Sequence, residues 1–354
     1  LTWRLHPATD FSSLAREWDA LHEAAGGIPF LASPFIQSAL EQFGTGDEQI
    51  ALREDGGQLT CAAILKRSGV AGWQSFQPSQ LPLGAFLQRA GATLGDASIP
   101  ELFRALPGWP LTIGLTQLDP IMVPRPDEGA AVTTLDYITT AWVEVSGDFE
   151  TYWGNRGKNL RDNVKKLGRK VTSEGMTARL EEIADPAAMR SAVADYAKLE
   201  TAGWKSSVGT AVSTDTAQGR FYVDMMERLA GLKRARAYRY WFCDAVATMD
   251  LCVEHGDVMV VLKTAYDERF GKFSPATLMR EQIFRQIFAE GRIRRVEFYG
   301  PMMEWHTRWT EHSRTLYHAN VFRSGMVRRV VDLAKAGLRR RGAAGDEVVA
   351  ADAK

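Results

Sequence analysis

Apolar residues in this chain recur at two spacings, and the switch from one to the other predicts the elements. Between Phe11 and Ala24, Leu14, Trp18 and Leu21 fall four and three apart, on one face of a helix. Pro34 to Phe43 repeats that pattern behind Ser33, a residue suited to capping. Gln49–Arg53 and Leu59–Lys66 are strand-like runs about the turn Asp55-Gly56-Gly57. Trp73 to Gly84, rich in Gln, Ser and Pro, predicts loop. Ile99 to Leu106 follows as a helix and Leu111 to Leu115 as a strand. Pro120 to Gly129 is again loop, because its prolines break both patterns. Leu135 to Val145 predicts a strand that ends before Gly147-Asp148, and a helix starts at Phe149.

The second half carries stronger signals. From Asn155 to Lys170 only Leu160, Val164 and Leu167 line one face of an otherwise basic helix. Such a face either stays in water or cradles anions. Strand Ala178–Ile183, helix Pro186–Thr201 and helix Gly219–Ala230 lead to a meander of three strands, Ala235–Cys243, Ala245–Glu254 and Val258–Lys263. The charged loop Tyr266–Phe273 follows, then Ser274-Pro275 opens a helix to Glu290 with Met279, Ile283, Phe284, Ile287 and Phe288 in one stripe. Gly291 ends it, and Arg295–Tyr299 predicts a further strand, completing a βαβ unit. Backbone N–H groups at that helix start, with Lys272 and Arg269 beside them, make the junction a candidate phosphate site. A last strand is expected at Thr315–Phe322. A tail helix is expected at Met326–Arg341, with Val327, Val330, Val331, Ala334 and Leu338 opposite its basic residues. A disordered end is expected past Gly342.

A length of 354 residues, close to half of them apolar, allows two cores. The division is expected near Ser146: residues 1–146, then 147–325, then a basic amphipathic tail over 326–354. Lys+Arg and Asp+Glu both number 43, and this zero balance argues against a dedicated DNA or RNA binder. Cys61, Cys243 and Cys252 have no metal-ligand spacing, and the six histidines are scattered, so no metal is expected. No phosphate-binding G-x-x-x-x-G-K loop, H-E-x-x-H pair, G-x-S-x-G elbow or C-x-x-C occurs. No apolar run nears the roughly 20 residues that span a bilayer. A cytoplasmic location is expected, with peripheral contact at the inner face of the membrane through the tail helix.

Glu200-x-x-Gly203-Trp204-Lys205, followed by Gly209-Thr210-Ala211, resembles the E-x-x-G-W-K…G-T-A stretch of the CelD/BcsL-like acetyltransferases. These belong to the GNAT superfamily and stand close to the FemAB-type transferases. Thr264-Ala265-Tyr266-Asp267-Glu268, then Ser274-Pro275, is similar to the T-A-Y-D-E…S-P-G segment of the same family, with Ala276 where the family has glycine. The basic helix from Arg156 to Lys170 is similar to its arginine-rich stretch. These motifs span Asp148 to Phe322. The superfamily's pyrophosphate signature is met only loosely, at Arg269-Phe270-Gly271-Lys272-Phe273.

The resemblance implies a mixed α/β fold of two tandem GNAT-like domains, each a mixed sheet flanked by helices. It implies transfer of an acetyl or longer acyl group from acetyl-CoA or acyl-CoA to a small-molecule or glycan amine, in exopolysaccharide or cell-envelope metabolism. In the superfamily two neighbouring strands splay and the opened backbone holds the pantetheine arm. Carried onto this chain, the cofactor residues are Lys263, Thr264, Ala265, Arg269, Gly271, Lys272, Phe273, Ser274 and Ala276. Attack of an amine on a thioester needs a base, a donor to the carbonyl oxygen and an acid for the thiolate. Glu200, Asp250 and His306 are the candidate bases, Glu200 foremost, and Tyr266 is the candidate acid. Two alternatives stay open. One is a FemAB-like transferase using aminoacyl-tRNA, disfavoured by the zero net charge. The other is a non-catalytic GNAT scaffold at a membrane assembly that makes polysaccharide.

Overall fold

The computed structural model describes residues 2–91, 98–202 and 215–334, and among these thirteen strands and nine α-helices precede a tail helix. In chain order the first half holds β1 (Thr2–Pro7), α1 (Phe11–Ala24), α2 (Ser33–Phe43), β2 (Gln49–Asp55), β3 (Gln58–Ser68), β4 (Gly72–Ser75), β5 (Phe86–Gln88), α3 (Ser98–Ala105), β6 (Thr112–Leu118) and β7 (Val132–Glu144). The second holds α4 (Phe149–Gly154), α5 (Lys158–Ser173), β8 (Ala178–Ile183), α6 (Pro186–Ala202), α7 (Ala217–Gly231), β9 (Ala235–Phe242), β10 (Ala245–His255), β11 (Val258–Tyr266), α8 (Pro275–Glu290), β12 (Arg295–Glu297), α9 (Glu304–Thr307) and β13 (Ser313–Phe322). The expected tail helix is seen over 325–334, where Arg328 donates to the Gly129 carbonyl and Met326, Val330 and Leu333 face solvent. The rest of that expectation, and the Gly203-Trp204-Lys205 and Gly209-Thr210-Ala211 motifs, lie outside the described residues.

The strands join in one mixed sheet, ordered β1-β2-β3-β4-β6-β13-β7-β12-β11-β10-β9-β8, with β5 beside β3. The fold class is therefore the expected one, a mixed sheet flanked by helices. The join between the halves is β7, whose residues from Val132 to Ala141 pair with β13 while Trp142 to Glu144 pair with β12. The division expected near Ser146 falls two residues past the end of β7.

Side-chain alternation along the central strands sets the two layers. On one face Met249, Leu251, Val253, Val258 and Val260 pack with α6 and α7, in a core that runs on to Phe30, Phe35 and Leu65. On the other face Cys252, Met259 and Val261 pack with Phe149, Leu160, Leu167, Met279 and Ile283 of α4, α5 and α8. A β-bulge at Leu251/Cys252 adjusts the register between β10 and β11.

Three short strands escape periodicity. β1 is an edge strand with Trp3 its buried residue, β4 has four residues and β5 three, too few for alternation to register. β4 overlaps the start of the segment expected as loop and is held by its ladders with β3 and β6. Ser33 also differs from expectation. It lies inside α2, capped by Ala32, and both its N–H and its hydroxyl donate to the Asp19 carboxylate, at 2.8 and 2.6 Å. The serine thus fastens α2 to α1 instead of capping it.

Candidate active site

β11 leaves its neighbour early. It pairs in parallel with β12 only over Val258–Val260, while its other edge pairs with β10 as far as Tyr266. From Val261 onward no strand among the described residues lies along the β12 side, so that edge of β11 faces a cleft. The cleft encloses about 340 Å³, lined by Leu160, Thr264, Tyr266, Ala276, Thr277, Arg280, Trp305, Arg308 and Trp309. Strand end, start of α8 and α9 thus converge, the geometry at which α/β sheets usually place ligands.

The floor of the cleft is polar and buried. Thr264 donates its hydroxyl hydrogen to Asp250 Oδ1 at 2.6 Å, and Arg280 Nη2 reaches Asp250 Oδ2 at 3.2 Å. Asp250 and Arg280 are 1% and 5% exposed, so this ion pair is out of water and each charge depends on the other. The Arg280 guanidinium also lies 4.5 Å from the Trp305 ring centre, close enough for a cation–π contact. Beside this cleft a second, more polar one of about 770 Å³ runs between α5 and the 304–311 segment, lined among others by Arg156, Asn159, Asn163, Lys166, Glu304 and Glu311. Leu160 and Arg308 line both, so the two are neighbours.

At the loop before α8 the chain winds a short 3₁₀ helix, Glu268–Phe273, capped by Asp267, whose carboxylate accepts from the Arg269 N–H. Ser274 then adopts φ 46° and ψ 57°, the left-handed region. It precedes α8 as expected, but its side chain makes no capping bond, because a capping hydroxyl works from an extended backbone. Its carbonyl instead accepts from Thr277 N–H at 2.9 Å. Of the two cations expected here, Arg269 pairs with Asp267 at 2.6 Å and Lys272 with Glu174 at 2.8 Å. Both cations stand in solvent, Lys272 against an exposed carboxylate it can exchange for another anion and Arg269 against the buried Asp267. Lys272 also lies 4.7 Å from the ring of buried Phe273, and Gly271 lies in the turn between them and Arg269.

The structure therefore brings Asp250, Thr264, Tyr266 and Ala276 together and leaves other expected residues elsewhere. Glu200 is buried on α6, against the opposite face of the sheet, where Tyr196 donates to it at 3.1 Å. Lys263 and Ala265 point to that same face, Lys263 5.5 Å from the Tyr222 ring and Ala265 in the core with α6 and α7. His306, buried in α9, is not among the residues lining either cleft. Its Nδ1 accepts from Met303 N–H at 2.8 Å, which caps the helix, and burial lowers its pKa from 6.5 to about 4. Arg280, Thr277, Arg308 and Trp309 were not expected. One signal existed for Arg280: it stands three and four residues before Ile283 and Phe284, so it interrupts the apolar stripe of α8 with a charge.

Against known families, residues 158–307 match the model of an acetyltransferase (GNAT) domain. No curated protein matches the chain. Among solved structures, a conserved protein of unknown function from Bacteroides thetaiotaomicron superposes with a TM-score of 0.55 at 8% identity, covering 87% of this chain and 97% of that one. The C-terminal domain of a proposed lysylphosphatidylglycerol synthetase from Agrobacterium fabrum gives 0.53 at 10% identity, covering 88% and 92%. FemX gives 0.52 at 10% identity, covering 86% and 95%. At such identities the shared property is the fold.

Proposed function

We propose that this chain is an N-acyltransferase that moves an acyl group from acyl-CoA to an amine, with the thioester in the cleft between β11 and α8. The observation that carries this is the open edge of β11 past Val260, facing the N-terminus of α8. An extended arm bearing amides can pair with an open strand edge as an added strand. A pyrophosphate would then meet the positive end of the α8 dipole, with Lys272 free to leave its exposed partner Glu174 and face it, while Arg269 stays beside the buried Asp267. The match of residues 158–307 to an acetyltransferase domain supports the same reading.

In the proposed reaction the amine nitrogen attacks the thioester carbonyl carbon and the carbon–sulfur bond breaks. Tyr266, 43% exposed and lining the cleft, gives its proton to the departing thiolate. The amine's proton passes to the Thr264 hydroxyl as that hydroxyl passes its own to Asp250, to which it already donates. This relay takes the place that Glu200 holds in the sequence reading, because Glu200 lies across the sheet. The motifs resembling CelD/BcsL-like acetyltransferases support an acceptor amine of the cell envelope or of an exopolysaccharide, small molecule or glycan.

Two measurements test the reading. CoA should raise the melting temperature where bulk tRNA does not, since a ligand of the native state alone adds stability. A rise with tRNA only would replace acyl-CoA by aminoacyl-tRNA as donor. Thr264→Val should fold and lose roughly 10²-fold in turnover, the usual worth of a lost proton-transfer group. Glu200→Gln should lower the melting temperature and keep near-normal turnover per folded molecule. A Glu200→Gln variant that melts normally but does not turn over would return the base to Glu200.

A further inference from the structure

Away from the cleft, the end of α1 meets the β10–β11 hairpin at three side chains that the reaction does not use. His22 is fully buried, and its Nε2 lies 2.8 Å from the Ile28 carbonyl oxygen. A carbonyl only accepts, so the ring carries its hydrogen on Nε2 and leaves Nδ1 as a lone pair. That Nδ1 has no hydrogen-bond partner. His255, 5% exposed, has Nε2 2.8 Å from Glu23 Oε1, and its Nδ1 is likewise buried and unpartnered. The two rings meet edge to face with centroids 4.5 Å apart. One donor atom from each of His22, Glu23 and His255 lies within 4.8 Å of the others.

A buried polar atom without a partner costs stability. Each unpartnered Nδ1 is a lone pair that suits a cation, and the Glu23 carboxylate stands at the other nitrogen of His255. The His22 Nε2–H bond to Ile28 is the outer contact that fixes a ligating imidazole in its tautomer. Gly27, at φ 58°, leaves room for the other ring: a Cβ there would stand 2.7 Å from His255 Cδ2.

We propose that His22, Glu23 and His255 form a binding site for a divalent transition cation of the zinc class, with water as fourth ligand. Two imidazoles and one carboxylate suit zinc, and tetrahedral donors stand about 3.3 Å apart for bonds of that length. Glu23, whose side chain is 60% exposed, can turn to close the remaining distance while both rings stay fixed. The ion would tie α1, in the first half, to β10 in the second.

Titration calorimetry of the untagged, chelator-treated chain with zinc chloride tests this. One ion per chain is expected, with a dissociation constant in the micromolar range or tighter and a higher melting temperature at saturation. Glu23→Gln should leave the zinc-free melting temperature near that of the parent and weaken binding roughly tenfold or more. His255→Ala should abolish binding. Should that variant fail to fold, the exposed Glu23→Gln change decides the question. Absence of stoichiometric binding, or unchanged affinity in Glu23→Gln, overturns the site.

Discussion

At the scale of single residues, sequence reading found side chains by type and could not tell on which face of the sheet they would lie. Asp250, Thr264 and Tyr266 were legible because they fall in a strand and a motif, and they meet at the cleft. Glu200 was equally prominent, yet α6 carries it to the other face, a fact fixed by packing and not by spacing. Arg280 left a trace only as a charge in an apolar stripe. His306 illustrates the same limit: it was chosen for its chemistry, and the fold spends it on a helix cap. Its burial has a measurable consequence. The unfolded histidine titrates near 6.5 and the folded one near 4, so between these values the unfolded chain binds more protons. Stability from this group is whole above pH 6.5 and is lost as pH falls toward 4, about 1.4 kcal/mol per unit. Urea unfolding at pH 7 and pH 5 should show His306→Gln losing roughly 2 kcal/mol less than the parent across that interval. Equal losses would mean that the folded imidazole titrates normally.

At the scale of elements, periodicity recovered the long helices and the meander, because each buries one face over several turns or alternations. It missed β1, β4 and β5, which are short and exist through their ladders. The start of α8 was placed correctly, but the backbone there is unusual. Ser274 holds the left-handed conformation that glycine adopts without a steric penalty. Its side chain makes no capping bond to offset that cost. Ser274→Gly should therefore stabilise the chain by about 0.5–1 kcal/mol, read from the midpoint of urea unfolding. A destabilised variant would show that the serine hydroxyl contributes more than the backbone strain removes.

At the scale of the whole molecule, composition and motifs indicated a mixed α/β fold, while the strand order was invisible. Partners such as β6 and β13 lie far apart in sequence, and nothing local records their pairing. What secures the arrangement is a buried polar knot. Arg314 of β13 donates to Asp119, just after β6, at 2.6 to 2.9 Å and to Glu297 of β12 at 2.9 Å, while Tyr299 donates to Asp119 at 2.5 Å. Burial raises the Glu297 pKa, and the Arg314 charge opposes that rise. Arg314→Met would leave two carboxylates in the interior, and breaking such a set costs roughly 3–5 kcal/mol. Chemical denaturation should show that loss near neutral pH, shrinking in acid as the stranded carboxylates protonate. A loss below about 1 kcal/mol would mean that water reaches the knot.

The position of β13 also bears on how the chain is made. As residues leave the ribosome in order, β6 and most of β7 are complete long before Ser313–Phe322 exists to lie between them. Until then two strand edges stand open with their amides and carbonyls unpaired, the condition under which chains pair wrongly with one another. Joining them requires contacts between residues about 200 positions apart, such as Tyr317 with Leu118, and contacts of that separation slow folding. The nascent protein is thus exposed to aggregation until its synthesis has passed Phe322, which makes a holding chaperone a natural companion of its production.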